Sequence, residues 1–259
     1  GGSTMESPFL RNEMLWGEAA QQTLAEAHVI LFGLGGVGSY TAEALVRAGV
    51  GELTLVDNDS VGITNLNRQL EALHSTLGTA KADAVAARAK DIHPELRVHP
   101  LCATYDAAHR ELFFPEGCHY DYIVDAIDLV SCKLDLIETA QRLHLPIFSA
   151  LGTGNKLDPT RLQLADIAET SGCPLARVMR RELRRRGIQH LPVVFSPEEP
   201  AAGVPFTAET PPPGRRSVPA SNPWVPATAG LLLAFGVVRD LLARRGIDTT
   251  ATEREGTLC

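Results

Sequence analysis

Short apolar runs alternate with amphipathic stretches through the first 150 residues. Residues 28–33, His-Val-Ile-Leu-Phe-Gly, form an apolar run that breaks into glycines, and a helix of small residues is expected over 36–48. A second strand, Glu-Leu-Thr-Leu-Val-Asp, ends at Asp57. The unit is β-α-β, so its strands should be parallel neighbours joined by a right-handed crossover. The alternation continues with a helix over 79–92, a strand over 97–102, a short helix over 107–113 and a buried strand over 120–126. A helix over 130–143 and a strand over 146–150 complete this half. Strands alternating with helices imply a mostly parallel sheet covered on both faces.

The pattern then changes. Residues 152–170 read as strand, turn at Asp158-Pro159, and strand. Residues 174–187 read as a helix, with proline in the first turn and glycine just past the end. A strand over 191–196 comes next, and a last helix over 226–245 is ended by Gly246. Between them, 197–226 holds nine of the chain's 17 prolines, the composition of a long loop that is either mobile or wrapped over the surface. The expected class is α/β, a Rossmann-like, mostly parallel sheet with helices on both faces, extended by further strands and a C-terminal helix. One domain over 5–249 is expected, with a nucleotide-binding half to about 151 and a substrate and dimer half from 152. Residues 1–4, ahead of Met5, read as an expression remnant, and 250–259 as a flexible tail.

Composition narrows the class. With 44% hydrophobic residues in 259, a large core is within reach and global disorder is excluded. A net charge of −7 argues against a general polyanion binder, so contact with nucleic acid has to come from a local patch. The five cysteines, Cys102, Cys118, Cys132, Cys173 and Cys259, form no C-x-x-C pair. That pattern fits neither a zinc ribbon nor a disulfide framework, and it points to a reducing cytoplasm. The eight histidines show no H-x-x-x-H spacing, so no metal role is read for them. The apolar run at 231–238 is too short to span a bilayer, and no membrane association is expected.

The sharpest local signal is Gly-Leu-Gly-Gly-Val-Gly-Ser, Gly33 to Ser39, which follows a strand and opens a helix. Gly33, Gly35, Gly36 and Gly38 let the backbone turn tightly and approach a phosphate, while the helix N-terminus offers free N–H groups and a positive dipole end. Asp57, at the end of the next strand, is placed to accept hydrogen bonds from ribose hydroxyls. A nicotinamide dinucleotide satisfies the same pattern. The residues beyond Asp57 discriminate: Arg68 and Lys81 come within the next 24 residues. A triphosphate carries about four negative charges and calls for several cations or a metal, whereas a diphosphate needs fewer. Asp125 ends a strand at the carboxyl edge of the sheet, where it could ligate Mg²⁺.

The motifs Gly-Leu-Gly-Gly-Val-Gly-Ser, Val-Asp-Asn-Asp, Asn-Leu-Asn-Arg-Gln, Gly-Thr-Ala-Lys-Ala and Val-Asp-Ala-Ile-Asp, in that order, resemble those of the ThiF/MoeB/HesA superfamily, relatives of ubiquitin-activating enzymes. The resemblance covers roughly residues 11–240. It implies ATP-dependent adenylation of a carboxylate, usually in a homodimer. It further implies that Gly35 and Gly36 line the phosphates, that Asp57 holds the ribose, that Asn65, Arg68 and Lys81 contact the phosphates, and that Asp125 holds Mg²⁺. It also makes Arg11 the candidate for an arginine that reaches the partner's ATP. In the second half, residues 152–167, the stretch Cys-Pro-Leu-Ala-Arg-Val-Met-Arg-Arg from Cys173, and Val193 to Glu198 are similar to the tRNA threonylcarbamoyladenosine dehydratases (the TcdA/CsdL group). That resemblance implies adenylation and cyclisation of the modified nucleoside in tRNA, with release of AMP and pyrophosphate. It also allows a cysteine desulfurase or sulfur acceptor as a partner. The paired zinc cysteines usual in sulfur-carrier activators are absent, as is a cysteine shortly before the last helix.

Six arginines fall between Arg177 and Arg186. Arg177, Arg180, Arg181 and Arg184 follow i, i+3, i+4, i+7 spacing and should share a helix face, a stripe suited to tRNA phosphates or simply a solvated one. Asp128 either faces the same crevice as Asp125 or pairs with Lys133. Cys173, at a helix start, reads as a packed thiol or a reactive one, and Trp16 and Trp224 read as packing anchors. Three competing functions stay open: activation of a ubiquitin-like or sulfur-carrier C-terminus, a nucleotide-binding scaffold, and a nicotinamide oxidoreductase.

Overall fold

The computed structural model describes residues 6–204 and 218–249. The expected remnant at 1–4, the expected tail at 250–259 and the middle of the proline-rich stretch lie outside the described residues. The strands are β1 (His28–Phe32), β2 (Glu52–Val56), β3 (Arg97–Leu101), β4 (Tyr122–Asp125), β5 (Ile147–Ala150), β6 (Gln163–Asp166) and β7 (Pro192–Phe195). They form one seven-stranded sheet in the order β3-β2-β1-β4-β5-β7-β6. All neighbours are parallel except the edge pair β6–β7, which is antiparallel. The sheet therefore runs through both halves of the chain.

The helices are α1 (Leu10–Trp16), α2 (Glu18–Glu26), α3 (Gly38–Ala48), α4 (Lys81–Ile92), α5 (Arg110–Phe113), α6 (Val130–Arg142), α7 (Pro174–Arg185) and α8 (Trp224–Ala243). Period-two alternation along the strands supplies both faces of the sheet. Val29, Leu31, Leu53, Leu55, Tyr122 and Val124 pack against α2, α3, α4 and α8. Ile30, Phe32, Ile123 and Val193 pack on the other side against α5, α6 and α7. Each such fully buried aliphatic side chain contributes roughly 1.5–3 kcal/mol. α8 crosses α3 at Gly230, where a Cβ would run into the Val37 carbonyl, and Thr41 Oγ1 donates to the Gly230 oxygen at 2.9 Å. By length and mean hydropathy (1.6) α8 would suffice to cross a bilayer, but 61% of that window is buried inside the protein, as in a core helix.

Two features depart from the hydrophobic pattern. The pattern gives no sign of α1 and α2, because α1 buries no side chain and α2 only Ala20 and Leu24. Trp16 anchors this segment, donating to Gln21 Oε1 at 3.0 Å while packing against the core. The strand expected at the start of 152–170 is instead a loop. Its backbone groups pair with the proline-rich segment rather than with a strand. Asn155, at φ 60°, donates its N–H to Ala220 O (2.8 Å) and accepts from Ala201 N (2.7 Å). Glu198 accepts from the N–H groups of Leu157 and Asp158. Asn222 donates to Lys156 O, and Trp224 Nε1 to Leu157 O at 3.0 Å. The described ends of the proline-rich stretch are thus wrapped onto residues 154–158.

Candidate active site

The glycine loop sits between β1 and α3 at the carboxyl edge of the sheet. Gly33 takes φ +96°, and a Cβ there would overlap the Ala126 carbonyl. A Cβ on Gly38 would overlap the Gly33 carbonyl oxygen, so the first turn of α3 closes directly onto the loop. At Gly35 the surroundings are open, with Gln69 Nε2 the nearest atom at 3.8 Å. That concavity at a helix N-terminus is the shape a phosphate needs. Ser39 fastens its wall: Oγ donates to Gly35 O at 2.6 Å and accepts from Leu70 N at 3.2 Å.

Asp57 lies just past β2. Its carboxylate accepts from Leu34 N and from Asp59 N, each at 2.8 Å, fixing the loop and leaving lone pairs for a ribose. Burial pushes its pKa up, opposed by those two backbone bonds and by Lys81. Lys81 opens α4 and is 5% exposed; its Nζ stands 3.7 Å from Asp59. Arg68 lies over the loop, its Cγ 3.3 Å from where a Gly36 Cβ would stand. Its guanidinium donates to Thr64 O and Asn67 Oδ1, both at 2.9 Å, and no carboxylate among the described residues pairs with it. Asn65 Oδ1 accepts from Gly62 N at 2.8 Å, leaving Nδ2 available to an acceptor. The structure therefore assembles Gly33, Gly35, Gly36, Gly38, Asp57, Asn65, Arg68 and Lys81 around one crevice.

Asp125 has a different place from the one expected. Its side chain is 0% exposed and lies 2.9 Å from the equally buried Lys133 Nζ, while Oδ1 accepts from Ile127 N at 3.0 Å. Lys133 also donates to Ile127 O at 3.0 Å. An enclosed, paired carboxylate does not stand open to a metal ion, so the reading of Asp125 as the Mg²⁺ ligand is corrected: it locks β4 to α6. Lys133 is thereby engaged with Asp125. Asp128, three residues further on, is exposed.

Apart from Asp125 Oδ2, which faces Lys133 Nζ at 2.9 Å, the buried side-chain polar atoms without a hydrogen bond among the described residues are Gln69 Oε1, both Glu71 carboxylate oxygens and Ser149 Oγ. Gln69 borders Gly35, Glu71 lines a cavity with Ser39, and Ser149 lies in β5. Native interiors leave few such atoms unpaired, and those that remain usually meet a ligand, ion or water. The motif reading stops short of Gln69 and Glu71 as candidates, although Gln69 follows Arg68 directly and Glu71 stands two residues beyond. Burial lifts the Glu71 carboxyl to about 7. Its ordinary value near 4.5 applies to the unfolded chain, so between those values the folded chain binds the extra proton and stability falls as pH rises. Glu71→Gln should flatten that decline when unfolding temperature is followed from about pH 5 to 8. An equally steep decline in the variant would contradict the assignment.

Three candidates lie outside the crevice. Arg11 is exposed on α1, which is tied to the far end of α3 by Asn12 donating to Arg47 O at 2.8 Å. Its own glycine loop lies at the opposite end of α3, whose 11 residues span about 16 Å. On α7, Ala176, Met179 and Leu183 form the buried stripe, and Arg177, Arg181 and Arg184 are exposed. Arg180 departs from the expected open stripe, because its guanidinium donates to Thr170 O (2.9 Å) and Oγ1 (2.5 Å). Arg181, Arg185 and Arg186 surround Glu182, which leaves Arg177 and Arg184 without a carboxylate partner among the described residues. Cys173 is 4% exposed within the second core cluster, a packed thiol.

A β3-β2-β1-β4 order with a glycine loop at its switch point, Arg68 over that loop and Lys81 acting on the Asp57 carboxylate is the frame of a nucleotide-binding α/β protein. The ThiF family pattern matches residues 9–233, and the chain belongs to the ThiF family. It is 42% identical over 241 residues to a tRNA threonylcarbamoyladenosine dehydratase of Bacillus subtilis, covering 90% of this chain and 94% of that one. It is also 42% identical over 170 residues to the Escherichia coli enzyme of that name, covering 66% and 63%. Among solved structures, E. coli TcdA in complex with ATP superposes with a TM-score of 0.81 at 33% identity, covering 96% of each chain.

Proposed function

We propose that this chain is an ATP-dependent dehydratase that cyclises threonylcarbamoyladenosine in tRNA. The observation that carries the reading is the open glycine cradle, with Arg68 over Gly36 and Lys81 acting on the Asp57 carboxylate beside it. It is supported by likeness to dehydratases along nearly the whole chain. The threonyl carboxylate attacks the α-phosphorus of ATP and pyrophosphate leaves. The carbamoyl group then attacks the acyl-adenylate intramolecularly, AMP leaves, and a ring closes with net loss of one water. A tethered nucleophile has a high effective molarity, so the protein need not supply one. Its tasks are to neutralise charge with Arg68 and Lys81, hold the ribose with Asp57 and keep out water. Mg²⁺, held by the triphosphate, would add further charge neutralisation.

The active unit in this reading is a homodimer. Leu231 and Phe235 on α8 and Leu10, Met14 and Leu15 on α1 are exposed apolar side chains that a second copy would cover. Arg11 then serves the partner's site, consistent with its distance from its own.

AMP and pyrophosphate should form when tRNA bearing threonylcarbamoyladenosine is supplied, and not with a carrier protein ending in Gly-Gly. The reverse result would favour the sulfur-carrier activator. On α7, Arg177 and Arg184, which have no carboxylate partner among the described residues, are the candidates to meet tRNA phosphates. Replacing both with alanine should weaken tRNA binding and lower the salt-dependence slope by roughly 0.7–0.9 per lost contact. An unchanged affinity and slope would move the RNA surface elsewhere.

A further inference from the structure

The end of the sheet away from the nucleotide carries a cluster that no local spacing announces. His28 and Glu52 open β1 and β2 and are register partners, while His99 on β3 pairs with Thr54, two residues along from Glu52. Period-two alternation puts His28, Glu52, Thr54 and His99 on one face. The potential ligand atoms of His28, Glu52 and His99 lie within 4.8 Å of one another.

We propose that His28, Glu52 and His99 form a binding site for a late first-row divalent metal ion, zinc in the first instance. His99 Nε2 is 2.8 Å from Glu52 Oε2, and one ligand atom from each of the three residues lies within 4.8 Å of the others. Tetrahedral zinc with bonds of about 2.0–2.2 Å sets its ligand atoms roughly 3.3 Å apart, within this range. The His28 ring is already oriented for the task. Nδ1 lies 3.0 Å from the His119 carbonyl oxygen, so it carries the proton and donates, leaving the Nε2 lone pair. Metal-bound histidines are commonly fixed by such a second bond to a carbonyl. Thr54 Oγ1, 2.8 Å from Nε2, is the donor the metal displaces. The Tyr120 ring backs His28 edge-on at 4.8 Å.

Two imidazoles and one carboxylate suit zinc, copper or nickel rather than magnesium, and a water completes four-coordination. Arg97, 3.6 Å from Glu52 Oε1, competes for that carboxylate, but its side chain is 63% exposed and free to swing into solvent. A bound ion would staple β1, β2 and β3, the three strands on one side of the nucleotide crevice.

The test is calorimetric titration of zinc sulfate into the EDTA-treated, untagged full chain, with the visible spectrum of cobalt(II) as a second readout. The parent should bind one zinc ion and give a tetrahedral cobalt band. His99→Ala should lose the band and weaken zinc by at least the roughly 10–100-fold seen when a supporting residue is disturbed. Cys102→Ser, which removes the exposed thiol, should behave as the parent. His99→Ala should keep the parent's ATP turnover, since His99 touches nothing in the crevice. No zinc binding by the parent, equal affinity in His99→Ala, or loss of binding in Cys102→Ser would each overturn the site.

Discussion

Arg68→Ala lowers AMP formation by about 10²–10³-fold, the usual effect of removing one preorganised charge donor from a developing transition state. Lys81→Met has a similar effect while keeping the buried stem in place. Arg68 rests its stem on Gly36 and has no carboxylate partner among the described residues, so its charge is free for a ligand. Lys81 is held at 3.7 Å from Asp59, an exposed acid that a phosphate can outcompete. Neither change should shift unfolding by more than a few degrees. Steady-state AMP release with a thermal melt checks both points. Near-normal turnover in both variants would show that other groups neutralise the phosphates.

Asp125→Asn produces the largest loss of stability. It leaves the Lys133 ammonium buried at 0% exposure without its counter-charge. Removing one partner of a buried ion pair costs roughly 3–5 kcal/mol. In a domain of this size that is a drop of the order of 10 °C in unfolding temperature. Asp125→Asn combined with Lys133→Met should recover much of the loss, because a neutral pair of similar volume needs no compensation. If Asp125 were instead an open metal ligand, Asp125→Asn would abolish turnover at an unchanged melting temperature. The two measurements together separate a lock from a ligand.

Asp125 also marks the limit of what the sequence reveals. Its position at a strand end was legible, and so was the crevice beyond that edge. Its direction comes from alternation: Ile123 belongs to the α6 face of the sheet, so Asp125, two residues on, points into that layer and meets Lys133. The β-α-β frame, the glycine loop and its cations were readable because each is a local pattern with a fixed period or spacing. Arg180 was misplaced because Thr170, ten residues earlier, offered it a carbonyl and a hydroxyl that helix spacing does not reveal. The 152–158 loop is not a strand because the partners of Asn155, Ala201 and Ala220, lie 46 and 65 residues away in sequence. Distant register likewise brings His28, Glu52 and His99 together, 24 and 47 residues apart.

The central claim is tested most directly by the mass of the modified nucleoside. Incubation with ATP, Mg²⁺ and tRNA bearing threonylcarbamoyladenosine, followed by gentle digestion and mass spectrometry, should give a nucleoside lighter by one water. AMP should accumulate in equal amount. An unchanged nucleoside mass, under conditions where an established dehydratase converts the same tRNA, would contradict the account.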